Sequence, residues 1–182
     1  MGDSDVMENP RHTKESLQKS LRRVTPSRVV DIYFRLVSPK RVDEILSTQG
    51  SFAYGGRYNP DGEFGALYLG ETKELCRRER QTKSKNSLLV SQIMGKIKVS
   101  YGKILDLTDP ETLKKLKIKK AELLLEERDG GWVLTWTIAR LAYQIGFEGI
   151  LSPSITGTEN NLIVFDKHVD NKKVKVISKA NR

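Results

Sequence analysis

Three side chains in this sequence are of types, and at positions, that could do chemistry: a glutamate on the apolar face of a helix, an arginine inside a glycine loop, and a serine where a strand ends. Glu79 lies in "ETKELCRRERQTK", four residues after Leu75 and three after Cys76, so helical spacing puts its carboxylate among apolar neighbours. An unpaired carboxylate is costly to bury, so it should meet an arginine, a ligand or water in a cleft. The alternative is a solvated partner for Lys83 at i+4, worth only about 0.2 to 0.5 kcal/mol. Arg57 lies in "AYGGRYNPDGEFGALYLG", residues 53–70, a stretch with five glycines. Backbone without Cβ can approach a ligand and offer N–H groups to phosphate, and the guanidinium fork beside it is a ready clamp for an anion. Asn59, Pro60, Asp61 and Gly62 would equally make a plain turn, and the loop fits neither GxxxxGK[ST] nor GxGxxG. Ser154, in "SPSITGTENN", suits hydrogen bonds to an amide or a ribose. No G-x-S-x-G elbow surrounds it, which argues against a serine hydrolase, and Cys76 sits mid-helix with no identifiable histidine base.

The elements that must position these groups can be read from periodicity. In "RVVDIYFRLV" the residues Val30, Ile32, Phe34 and Leu36 alternate with Asp31, Tyr33 and Arg35, the pattern of a half-buried strand with Arg35 facing away from the Phe34 side. "SPKRVDEILSTQG" reads as a helix capped by Ser38, with Pro39 first, Val42, Ile45 and Leu46 inward and Gly50 as terminator. "ALYLG" is a short strand, and Thr72 caps the helix that carries Glu79. "LLVSQIMGKIKV" and "GKILDLTD" read as two strands with a turn near Tyr101 and Gly102. Asp109 and Pro110 open a short helix, and "GGWVLTWTIARLAYQIG" is a long one with its aromatics directed to the core and Gly146 beyond its end. "GILSPS", "LIVF" and "VKVIS" complete the strands. Short strands mixed with fewer helices predict an α+β domain.

Length and composition fit one domain: 182 residues, 37% hydrophobic. Residues 1–27 are polar and read as a loosely attached arm, with Leu17 and Leu21 on one face of a short helix, and the domain proper covers 28–182. No apolar run is long enough for a membrane span and the amino terminus lacks a secretory signal, so a cytoplasmic protein is expected. One cysteine and two histidines give no disulfide framework and no metal site. The net charge of +9 would suit nucleic acid, an acidic protein or a polyphosphate ligand.

Five segments in this order, "YFRL", "GGRYNPDG", "LYLGETKELCRRE", "GFEGILSPS" and "NNLIVFDKH", resemble the RES domain, a bacterial family named for an arginine, a glutamate and a serine, over roughly residues 30–178. Tyr58 stands where the family loop, GGRWN, has tryptophan. The resemblance implies an ADP-ribosyltransferase-like fold of mixed and antiparallel sheet flanked by helices. It also implies NAD as substrate rather than as a retained cofactor, with cleavage of the nicotinamide–ribose bond and phosphate, water or a protein as acceptor. Relatives are toxins neutralised by an Xre-type helix-turn-helix antitoxin. Carried onto this chain, the catalytic positions are Glu79, Arg35, Tyr68 and Ser154. Arg57, Gly55, Gly56, Tyr58 and Asn59 would line the dinucleotide, and Asn161 would support the serine loop. The competing readings are a basic nucleic-acid-binding protein or ribonuclease, and a RES domain that binds a partner without turnover.

Overall fold

The β-branched and aromatic run at the start of the domain forms β1 (Ser27–Val37), which pairs antiparallel along almost its whole length with β3 (Ile93–Asp106). These belong to a computed structural model that describes residues 12–83, 91–126 and 131–181. Between them come α2 (Gln49–Tyr54), β2 (Ala66–Gly70) and α3 (Lys73–Lys83). After β3 follow α4 (Pro110–Leu116), α5 (Lys120–Leu123), α6 (Gly131–Ile145), β4 (Gly149–Pro153), β5 (Asn160–Phe165) and β6 (Val174–Asn181), with α1 (Lys14–Leu21) preceding β1.

The sheet order is β1-β2-β5-β4-β3-β6, and the β1–β3 pairing closes the first five strands on themselves through a single β1–β2 register pair, Phe34 with Gly70. Alternation along the strands then gives two apolar layers. Tyr33, Leu67, Leu69, Ile97, Val99, Leu162 and Val164 fill the inside of the curved sheet. Ala66, Ile150, Ile163 and Phe165 face outward under α1, α4, α5 and α6. Tyr68, Ser152 and Asn161 share the parity of this second face, which is where the candidate site is built.

Four local expectations are corrected. Tyr33, not the Val30 and Ile32 row, is the buried side of β1: Val30 is 49% exposed, whereas Tyr33 packs inside the sheet. The helix expected over 38–50 is a 3₁₀ turn, Pro39–Arg41, and Gly50 lies inside the separate helix α2. Its continuity fails because the Arg35 guanidinium takes the carbonyls of Ile45 (3.0 Å) and Ser47 (3.1 Å), while the Ile45 side chain drops onto Gly95 of β3. The two strands expected around Tyr101 are one strand over 93–106, with Tyr101 buried; the amino-terminal end of the first, from Leu88 to Val90, lies outside the described residues. Finally, the helix of the amino-terminal arm is part of the core. Leu17, Leu21 and Val24 are buried against the helical layer, each leucine worth about 2 kcal/mol in area removed from water.

Candidate active site

The glycine loop folds around one buried amide. Asn59, fully enclosed, donates from Nδ2 to the carbonyls of Ser51 (2.7 Å) and Phe64 (3.2 Å) and accepts at Oδ1 from the Tyr68 hydroxyl (2.8 Å). The same hydroxyl accepts from the Tyr58 N–H at 3.0 Å. A Cβ on Gly56 would stand 2.6 Å from that hydroxyl and 2.9 Å from Asn59 Oδ1, so the loop needs glycine there to admit Tyr68. Trp136 of α6 donates from Nε1 to the Gly56 carbonyl at 2.8 Å. Burial pushes the Tyr68 hydroxyl well above its ordinary range, the Tyr58 N–H and Arg57 pull the other way, and the Glu79 charge adds a further upward push. It is therefore a neutral donor to Asn59. The buried Tyr58 hydroxyl, pushed up to about 12 by burial against the opposing effect of its hydrogen bond, sits 2.6 Å from the Ser152 hydroxyl of β4.

Gly70, Asn161 and Ser152 lie opposite one another across β2, β5 and β4. Gly70 has no side chain to hold α3 away: a Cβ would be 2.7 Å from Cys76 Sγ. With α3 lying this close, and its first turn capped by the Thr72 hydroxyl on the Leu75 N–H (3.0 Å), Glu79 reaches the next residue of the row. Glu79 Oε1 accepts from Asn161 Nδ2 at 2.6 Å and from the Ser154 hydroxyl at 2.9 Å. Ser154 Oγ also accepts the Thr156 N–H and shares a 3.1 Å contact with Thr156 Oγ1. Among the described residues, both hydrogen bonds to this carboxylate fall on Oε1 and both donors are neutral side chains.

Next to this cluster opens a cleft of about 480 Å³ lined by Arg78, Gln81, Leu124, Glu126, Ile155 and Thr156. Thr156 belongs to the Ser154 network, and Leu124 lies between the two carbonyls that anchor Arg57. Arg57 Nη1 donates to Leu123 O (3.0 Å) and Leu125 O (2.6 Å), and the guanidinium lies 6.0 Å from the Trp132 ring centroid. The cleft thus adjoins both groups through their neighbours, Arg78 and Thr156 on one hand and Leu124 on the other.

The structure therefore brings together Glu79, Ser154 and Asn161, and separately Gly56, Tyr58, Asn59 and Tyr68. Gly55 closes α2 at its carboxyl end. Arg35 joins neither group. It is held by the Ile45 and Ser47 carbonyls, and burial, with Arg41 adding to it, lowers its pKa to about 10, so it stays charged at neutral pH. Of the partners expected for Glu79, neither Arg35 nor Arg57 is among its hydrogen bonds; among the described residues it is met by a serine and an amide. Cys76 is no nucleophile in this setting. Its thiol donates to the Phe34 carbonyl and burial pushes it up to about 11. Sequence reasoning missed Ser152, Thr156, Trp136 and the pair formed by Arg78 and Glu159. Glu159 did leave a signal, as the acidic residue in an otherwise neutral loop of hydroxyls and amides.

The RES domain family matches residues 32–182. The chain belongs to the RES domain family. Similar proteins include the NAD(+) phosphorylase MbcT of Mycobacterium tuberculosis and that of Mycobacterium bovis, each 24% identical over 121 residues, 63% of this chain and 63% of the relative. The match thus spans less than two thirds of those relatives' length. The fold of this RES domain is also that of a chain in the crystal structure of the M. tuberculosis MbcT–MbcA toxin–antitoxin complex, with a TM-score of 0.75, 20% identity and 92% of each chain covered. No helix among the described residues is long and apolar enough to cross a membrane.

Proposed function

We propose that this RES domain consumes NAD by breaking the bond between nicotinamide and ribose, with phosphate as the acceptor, and that it is the toxin of a toxin–antitoxin pair. The observation that carries the reading is the Glu79 carboxylate, held on one oxygen by Ser154 and Asn161 beside a cleft whose wall includes Leu124, next to the carbonyls that hold Arg57. The similarity to NAD(+) phosphorylases supports the choice of substrate and acceptor.

When the bond from ribose C1′ to the pyridinium nitrogen breaks, the electron pair leaves with nicotinamide and the ribose gains oxocarbenium character. A carboxylate beside C1′ stabilises that charge more in the transition state than in the ground state. In this role Glu79 moves no proton. Ser154 and Asn161 fix its orientation, which lowers the reorganisation needed when charge develops. A phosphate oxygen then bonds to C1′, leaving ADP-ribose with a phosphate on the former nicotinamide carbon. Arg57 places fixed positive charge at the cleft for the pyrophosphate or the incoming phosphate, and Arg35 adds to that field from beneath the 45–47 segment. Tyr68, its hydroxyl tied to Asn59, offers a rigid ring edge to ribose or nicotinamide. Gly55, Gly56, Tyr58 and Asn59 shape the wall that holds it. The neutralising partner is a protein antitoxin of helix-turn-helix type, in keeping with the similarity to a chain of a toxin–antitoxin complex.

The test is incubation of the pure chain with NAD, with and without phosphate. Phosphate-dependent release of nicotinamide, with a phosphorylated ADP-ribose product by mass, is expected. No release under either condition would overturn the proposal.

A further inference from the structure

The loop that carries Ser154 is fastened to α3 by Glu159, and the fastening lies next to Glu79. Glu159 Oε2 accepts from Arg78 Nη2 at 2.5 Å, and Oε1 accepts from the Thr72 hydroxyl at 3.3 Å. Its main-chain carbonyl accepts the Ser154 N–H at 3.0 Å. One residue thus connects the cap of α3, the residue preceding Glu79 and the backbone of the serine.

We propose that Arg78 and Glu159 form a positioning clasp, which sets the serine loop against α3 so that the Ser154 hydroxyl and the Asn161 amide converge on Glu79. The inference rests on the reading of Glu79 as the catalytic carboxylate. Its geometry is a two-residue match. Glu159 is the bend residue just before β5 and Asn161 the second residue of that strand, while Arg78 and Glu79 are consecutive on α3. Each residue of the first pair meets one of the helical pair, Glu159 with Arg78 and Asn161 with Glu79. A one-residue slip of the loop would break both contacts together. The residue between, Asn160, adds backbone contacts: its N–H donates to Glu71 Oε2 at 2.8 Å and its carbonyl accepts the Glu71 N–H at 3.0 Å.

The ion pair contributes through geometry more than through its own energy. The two side chains keep 32% and 22% of their exposure, and a pair this open gains little from its own attraction. The Arg78 guanidinium still holds the Glu159 carboxyl below its ordinary range, with the Thr72 hydroxyl helping, so the pair is charged on both sides at neutral pH. Arg78 also lines the cleft, as does Thr156 of the serine network, so the clasp forms part of the wall the substrate would meet.

The experiment compares the full-length chain with Glu159→Gln, Arg78→Glu, Glu159→Arg and the double exchange Arg78→Glu with Glu159→Arg. It reads kcat and KM for NAD, and amide hydrogen exchange at Ser154 and Thr156. Glu159→Gln is expected to lower kcat about 10- to 100-fold while KM moves less than about threefold, the mark of misplaced groups rather than lost binding. Exchange at Ser154 and Thr156 should speed up. The double exchange should recover at least about tenfold in kcat over the better single charge reversal, because coupled residues are non-additive. Wild-type exchange in Glu159→Gln, a loss confined to KM, or a double exchange no better than the singles would overturn the clasp. If the wild-type chain releases no nicotinamide, the functional reading fails, and hydrogen exchange alone then decides whether the clasp holds the loop.

Discussion

Glu79, on α3, and Glu148, in the connection before β4, are both shielded carboxylates beside the sheet, yet their surroundings are of different kinds. Glu148, with its side chain 8% exposed, accepts from the backbone N–H of Gly102 (2.8 Å) and Lys103 (2.7 Å) and from Lys173 Nζ (2.5 Å). Those two N–H groups belong to the stretch where β3 has left β6, whose pairing ends at Val99, and has not yet met β4, whose pairing begins at Ile104. Glu148 supplies the acceptors that a neighbouring strand would otherwise provide. Among the described residues Glu79 accepts hydrogen bonds from two neutral side chains, Ser154 and Asn161, beside a cleft. A carboxylate wired to backbone maintains a fold. One oriented by neutral side chains keeps its charge available to a substrate.

The comparison breaks first if Glu148 proves dispensable. Glu148→Gln should cost about 1 to 2 kcal/mol of stability, because it removes the charge facing Lys173 and weakens the hold on two part-buried N–H groups. Chemical denaturation measures this, and kcat of the folded fraction should be unaltered. Burial pushes the Glu148 carboxyl up, but Lys173 and the two N–H groups outweigh it, so its pKa lies below the ordinary value. With the folded pKa depressed, the stabilisation is full above the unfolded pKa and is lost as pH falls through the folded value. The difference between wild type and Glu148→Gln should therefore shrink on acidification below about pH 4.5.

Ser154→Ala sharpens the other side. Removing one of two donors to Oε1 should lower kcat about 10- to 100-fold, with KM and melting temperature little moved. The smallest effect is expected at Tyr58→Phe. It leaves the Ser152 hydroxyl without its tyrosine partner and should cost about 1 kcal/mol in a denaturation curve, with kcat close to wild type.

Much of the site's scaffold could be read locally. Thr72 as cap, Glu79 on the face of Leu75 and Cys76, Asp109 with Pro110 opening α4, and Gly146 after α6 all follow from spacing and capping chemistry within a few residues. What escaped was set by distant partners. The 38–50 helix reads well in isolation and is interrupted by Arg35, whose donors claim two of its carbonyls. Tyr101 and Gly102 look like a turn until Glu148, more than forty residues on, satisfies the Gly102 N–H. The glycine loop suggested backbone laid against a ligand, whereas Gly56 is small for the sake of the Tyr68 hydroxyl and Asn59. Arg57 reads in the sequence as a clamp for an anion; that its Nη1 would be taken by carbonyls at the end of α5 could not be read, because nothing near it in the chain announces them.

The most direct measurement is the rate of nicotinamide release by Glu79→Gln beside wild type, at saturating NAD and phosphate. A loss of about 1000-fold, with a melting temperature within a few degrees of wild type, is the expected result for removing the charge that faces a developing cation. A Glu79→Gln protein that releases nicotinamide within about threefold of wild type would contradict the account, because charge at that position would then contribute almost nothing to the barrier.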